Sequence, residues 1–178
     1  MFEVGSLIIY SAHGICRIDG ISEKTISGVS KHYYDLHPLR SAGLKISIPV
    51  DNDSILMLDL IERDEAEVII ESFRSPGVEW IDKSSDRNHT YSNILNSGDR
   101  KEIAKVINTL MRQKHKLQSN HKKLNQQDQN MLNSTQQILF NEIAISLDTT
   151  YDAILDRVNR IVEAVFHSEE RVLSHSGR

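Results

Sequence analysis

The apolar positions keep two different periods along the chain. Between residues 4 and 50 they fall in short β-branched and aromatic runs: Leu7-Ile8-Ile9-Tyr10, Ile15-Cys16-Arg17-Ile18, Ile21 to Ile26 and Tyr33-Tyr34-Asp35-Leu36. Gly5, His13-Gly14 and Gly20 separate the first three, and Ser27-Gly28 stands where a hairpin turn is expected. Leu44-Lys45-Ile46-Ser47-Ile48-Pro49-Val50 alternates strictly, placing Leu44, Ile46, Ile48 and Val50 on one face. Short strands at this spacing predict a small antiparallel barrel or curled sheet. Pro49 belongs on an edge, which leaves one side of the sheet available for a partner. Tyr33 and Tyr34 are adjacent and face opposite sides, one to the core and one towards that edge.

After Asp51-Asn52-Asp53-Ser54 the period becomes helical. A short helix is expected over 62–73, with Asp64 and Glu65 in its first turn, where the helix dipole favours carboxylates. Ser75-Pro76-Gly77 ends it. Ser84 or Ser85 is the expected cap of a second helix running to Asn96, with Gly98 as its left-handed stop. Asp99 caps a third, in which Ile103, Val106, Ile107, Leu110 and Met111 form one apolar stripe. Gln118-Ser119-Asn120 marks a connection. A fourth helix is expected from Asn125, and Thr149 with Asp152 resembles a capping box before a fifth that carries Ile154, Leu155, Val158, Ile161, Val162 and Val165. The fold class predicted is α+β in two modules, a small antiparallel Tudor-like β barrel or sheet followed by an all-α bundle. The expected boundaries are 1–58, 59–166 and a disordered polar tail, 167–178.

Charge sharpens this picture. The net charge is −4, yet residues 100–123 carry 8 Lys or Arg against 1 acid. Gathering the cations into one block points to an anionic partner for that block alone. Lys101, Lys105, Arg112, Lys114 and Lys116 lie mostly off the apolar stripe, and His115 and His121 are placed on the same basic surface. A single cysteine, Cys16, excludes an internal disulfide and fits a reducing compartment. No secretory signal and no apolar run near the ~20 residues of a membrane span is present, so a cytoplasmic protein is expected.

The chemistry sets limits too. The eight histidines have no metal-ligand spacing, and no Gly-rich phosphate loop or Ser/His/Asp signature occurs. His13 beside Gly14 reads as a turn residue. An enzyme, a metal site and a cofactor are therefore not expected. Trp80, the only tryptophan, has two readings. It is a structural anchor at the joint of the modules, or an amphipathic wedge against a base step. Buried structural tryptophans are common, which favours the anchor on physical grounds alone.

Taken together, Phe2-x-Val4-Gly5, Tyr10-x-x-His13-Gly14, a strand ending near Ile26, and Ile48-Pro49 resemble the module shared by CarD/CdnL bacterial transcription regulators and the transcription-repair coupling factor. A Trp followed by Leu95-x-Ser97-Gly98-Asp99, Val106-Ile107-x-x-Leu110 and Ile138-Leu139-x-x-Glu142-Ile143-Ala144 extends the likeness to about Phe166. The resemblance implies a non-enzymatic regulator in the bacterial cytoplasm and nucleoid. Its first module would dock on the β lobe of the RNA polymerase β subunit, and its helices would meet upstream promoter DNA at the bubble edge and steady the open complex. Carried over by position, the polymerase contacts are Lys24, Ile26 and Ser47; the family often has arginine at the first and last of these. Trp80, Lys83, Arg87, Arg112 and Lys114 are the candidate DNA contacts. Here Trp80 lies about a helical turn further from Ser97-Gly98-Asp99 than in actinobacterial members, and the basic residues that follow it there are Ile81-Asp82-Lys83. DNA binding is expected to be weak and sequence-independent, by a monomer away from any membrane. The alternatives are a free-standing nucleic-acid module, or a protein scaffold independent of polymerase.

Overall fold

The computed structural model describes residues 1–10, 13–52 and 55–175, with side chains through Ser168. Asp53 and Ser54 of the expected break, and residues 176–178 of the expected tail, lie outside the described residues. The chain divides into two compact units, Met1–Leu60 and Ile61–Arg178.

The first unit is a five-stranded antiparallel sheet: β1 (Leu7–Tyr10), β2 (Gly14–Ile26), β3 (Val29–Pro38), β4 (Ile46–Pro49) and β5 (Met57–Asp59), in the order β4-β3-β2-β1-β5. Ser27 (φ 52°) and Gly28 (φ 80°) both take positive φ, as a two-residue hairpin turn requires. Gly20 does not end a strand. A register shift between Ile18 and Gly20 inserts a bulge, so two expected strands are one bent strand. The bulge also flips the parity of every later residue of β2. Ile8, Cys16, Ile18, Tyr34, Leu36 and Ile48 form the buried core of this unit, and burial pushes the Cys16 thiol up to about 11. Tyr34 is the inward tyrosine, its hydroxyl accepting the Phe2 N–H at 2.9 Å. Pro49 lies in edge strand β4, as expected. Two details differ from the pattern reading. β4 begins only at Ile46, leaving Leu44 exposed, and β5 is too short to show a period.

The second unit contains α1 (Arg63–Ser72), α2 (Ser84–Asn96), α3 (Arg100–Ser119), α4 (Gln126–Ser146) and α5 (Tyr151–His175). The α1, α3, α4 and α5 stripes share one core built around Phe73, Ile107, Leu110, Phe140, Ile143 and Val158. Asp99 caps α3 through Lys101 N and Glu102 N, and Gly98 takes φ 75°. The other expected caps move. α2 starts at Ser84 with Lys83 as an N-cap whose side chain makes no capping bond to the backbone, and before α5 it is Thr150 Oγ1, not Thr149, that accepts an N–H, from Ala153 at 3.2 Å. Thr149 is instead spent closing α4: Thr149 N–H reaches Ala144 O and Asp148 N–H reaches Ile145 O, with Asp148 at φ 55°. The backbone stays helical through His175, past the point where the polar composition suggests fraying. Among the described residues no helix is long and apolar enough to cross a membrane.

Candidate functional site

On the β unit, the register of β2, β3 and β4 decides which residues share a face. Beyond the bulge, Lys24 pairs with Lys31 and Ile26 with Val29, while Asp35 pairs with Ser47. Lys24, Ile26 and Ser47 therefore stand on one face, the one opposite Tyr34 and the core. Lys24 Nζ reaches Asp35 Oδ1 at 3.1 Å and also donates to Ser47 Oγ, which in turn donates to Asp35 Oδ1 at 2.6 Å. The ammonium also lies 5.6 Å from the Tyr33 ring centroid. Nearby Ser22 and Ser47 hydroxyls, with Lys24, hold the Asp35 carboxyl at about 2. Ser22 Oγ itself has no partner at hydrogen-bonding geometry. Beyond this polar patch, Ile26 and Val29 expose more than half of their surface at the hairpin tip (58% and 56%). Two exposed apolar side chains thus stand at the end of the hairpin, on the same face as the bonded Lys24 ammonium.

In the helical unit, the segment between α1 and α2 has no ladder or helix of its own, so its carbonyls need donors from elsewhere. Side chains of α2 and α3 supply them. Asn108 Nδ2 donates to Ser75 O at 2.7 Å and Arg112 Nη2 to the same oxygen at 3.2 Å. Thr109 Oγ1 donates to Val78 O at 2.7 Å and the Tyr91 hydroxyl to Glu79 O at 2.8 Å; burial pushes that phenol up. Arg87 Nη1 donates to Ile81 O and Asp82 O. Gly77 lies so close to α3 that a Cβ there would fall 2.2 Å from Thr109 Oγ1 and 2.5 Å from Lys105 O. The result is a strap laid along α3 with Trp80 on it.

Trp80 is half-buried and packs against the bundle core. The Arg87 guanidinium carbon sits 4.1 Å from its ring centroid, a cation–π contact worth about 2 kcal/mol when desolvated. The indole also lines a groove of about 380 Å³ together with Gly77, Arg112, Gln113, Lys116 and Phe166.

The five candidate DNA contacts do not form one patch. Trp80 and Arg112 share the groove, although the Arg112 guanidinium is half-buried and bonded to the strap carbonyls and Asn108. Arg87 is a correction. It is buried at 3% exposure, bound bidentately to Asp128 (Nε–Oδ1 3.1 Å, Nη2–Oδ2 2.6 Å), and presents no charge to a phosphate. Lys83 is exposed and paired with Asp86 at 3.1 Å. Lys114 stands apart from Trp80 and Arg112. Two residues from Arg112 on a helix is more than half a turn away, and Lys114 lines a separate cavity with His115, Asn133 and Glu163. His115 lines that same cavity, and burial lowers its pKa. Lys116, which the sequence reading left unassigned, does line the groove. Helical spacing from Arg112 (i, i+4) identifies it, and extends the row through Lys105 and Lys101, both exposed; Lys105 is bonded to Glu102 at 2.6 Å.

A sheet with an apolar-tipped hairpin and a bundle displaying an indole beside a cationic row define a two-module interaction protein. A family model described as the CarD-like/TRCF RID domain matches residues 2–59, and one described as the CarD C-terminal domain matches residues 68–159. The chain belongs to the CarD family. That family consists of non-enzymatic transcription factors, and its domains make the chain a transcription regulator that interacts with RNA polymerase.

Proposed function

We propose that the β unit docks on the β lobe of the polymerase β subunit and that the helical unit meets upstream promoter DNA at the bubble edge, lengthening the life of the open complex. The observation that carries the DNA half is Trp80. Its strap is tied at Ser75, Val78, Glu79, Ile81 and Asp82, while part of the indole remains at the surface beside Arg112 and Lys116. A purely structural tryptophan has no need of an open groove bordered by cations. The polymerase half rests on Lys24, Ile26 and Ser47 sharing one outer face with the exposed hairpin tip.

Neither contact needs to be strong. The polymerase grip supplies location and raises the effective concentration of the helical unit at the bubble. A preference for open over closed DNA of about 1–2 kcal/mol then shifts the equilibrium roughly five- to thirtyfold. The test is the lifetime of the open complex on one weakly opening promoter, with wild-type protein, Trp80→Ala and Lys24→Glu. Wild type lengthens it, Trp80→Ala does not, and Lys24→Glu loses capture of the isolated β lobe. Full activity in Trp80→Ala, or undiminished capture by Lys24→Glu, refutes the corresponding half.

A further inference from the structure

The group beneath Trp80 is more deeply buried than Trp80 itself. The guanidinium of Arg87 and the carboxylate of Asp128 each have 3% of their side chain exposed, whereas the indole above them is only half-buried. The order is unusual, because an ion pair is costly to desolvate and an aromatic ring is not. An apolar side chain at position 87 would fill the space beneath Trp80 more cheaply. What an apolar side chain lacks is a set direction. The guanidinium is planar, and each of its edges is occupied here: Nε and Nη2 by the two Asp128 oxygens, Nη1 by Ile81 O and Asp82 O. Asp128 is fixed in turn. Asn125 Nδ2 donates to its Oδ2 at 2.7 Å, and its own N–H donates to Asn125 Oδ1 at 2.8 Å as part of the α4 cap. From the start of α4 to the indole face, every partner is therefore held in place.

We propose that Arg87, anchored by Asp128, is the positioning residue of Trp80: it fixes the plane in which the indole is presented and does not touch the nucleic acid. The guanidinium acts twice. Through Nη1 it ties down the two carbonyls just after Trp80, and through its flat face it sets the tilt of the ring. Lysine keeps the charge but has neither the planar face nor the bidentate grip. The consequence for DNA rests on the function proposed above; the consequence for the indole does not.

Trp80 is the only tryptophan in the chain, so fluorescence of the full-length protein excited beyond the absorption band of its five tyrosines reports on the indole alone. The experiment compares wild type, Arg87→Lys, Asp128→Asn, Trp80→Ala and the double variant Trp80→Ala/Arg87→Lys. Folding is checked by far-UV circular dichroism, indole placement by emission wavelength and acrylamide quenching, and activity by open-complex lifetime. Arg87→Lys and Asp128→Asn, each retaining wild-type helix content, are expected to red-shift the emission and raise the quenching. They are also expected to lose the lifetime gain to the extent Trp80→Ala does, with the double variant no worse than Trp80→Ala. Unchanged emission and quenching in a folded Arg87→Lys overturn the proposal, as does a double variant that loses clearly more than Trp80→Ala. Asp128→Asn keeps the test decisive if Arg87→Lys fails to fold. If Trp80→Ala leaves the lifetime intact while Arg87→Lys still moves the fluorescence, the DNA reading fails and the positioning role stands.

Discussion

Arg87 and Gly77 show at the level of single residues how far a side chain's role depends on what surrounds it. Arg87→Ala leaves the Asp128 carboxylate buried without its cation, and the expected cost is about 3–5 kcal/mol. Arg157 makes an equally short bidentate pair with Glu67 (3.2 and 2.6 Å), but both partners are about two-fifths exposed, so Arg157→Ala should cost less than about 1 kcal/mol. Chemical denaturation of the two variants checks that ordering. Gly77→Ala forces a methyl into Thr109 and the Lys105 carbonyl, and overpacking of this kind costs about 1–3 kcal/mol. Gly20→Ala meets nothing within 4 Å and should stay within about 0.5–1 kcal/mol of wild type in the same measurement. Asp35 carries a pH prediction. Its folded pKa, about 2, lies below the ordinary aspartate value of about 3.9, so the stability it contributes is complete above that value and disappears as pH falls towards 2. Between those pH values Asp35→Asn should be less acid-sensitive than wild type, read by carboxyl NMR titration and acid unfolding. Of these roles, the sequence shows only that Gly77 ends a helix and that Arg87 is a cation near Trp80. Their packing partners are 32 and 41 positions away.

At the level of elements, the polar side of α3 does two jobs at once. One side carries Val106, Ile107 and Leu110 into the core, and on the other Asn108, Thr109 and Arg112, which tie the strap, interleave with the exposed Lys101, Lys105 and Lys116. The basic block of the sequence thus divides, with Lys114 directed to the opposite side of the helix. Duplex binding by the protein alone should weaken with salt with a slope no steeper than roughly −4, since at most about four cations of one row can face the backbone. Lys116→Glu is expected to flatten that slope, and Lys114→Glu to change it much less; fluorescence anisotropy at several salt concentrations decides the point. The helix and its apolar stripe were legible because burial imposes a period. The division of its polar side was not, because strap and solvent both accept polar residues.

For the whole molecule, the two units form one device only if both contacts are needed at once. Binding on polymerase turns the DNA contact into an intramolecular step, so losing either handhold should remove most of the effect. Lys24→Glu and Trp80→Ala are each expected to forfeit most of the open-complex lifetime gain, with the double variant little worse than the more damaging single one. Additive losses of similar size would mean that the units act independently.

Periodicity, turn chemistry and charge determined much by themselves: strands before helices, the Ser27-Gly28 hairpin, the Asp99 cap, Pro49 on an edge, and a family likeness that both family models bear out. These are local properties, set by sterics and by the spacing of apolar side chains. Tertiary structure alone decided that the bulge near Gly20 puts Lys24, Ile26 and Ser47 on one face, that Thr150 caps α5, and that Lys114 and Trp80 look in different directions. It also decided that Arg87 sits beneath Trp80 rather than beside it at the surface. A cation's formal charge can be read from its residue type, but whether that charge reaches solvent depends on a carboxylate supplied from elsewhere in the fold, here Asp128 in the first turn of α4.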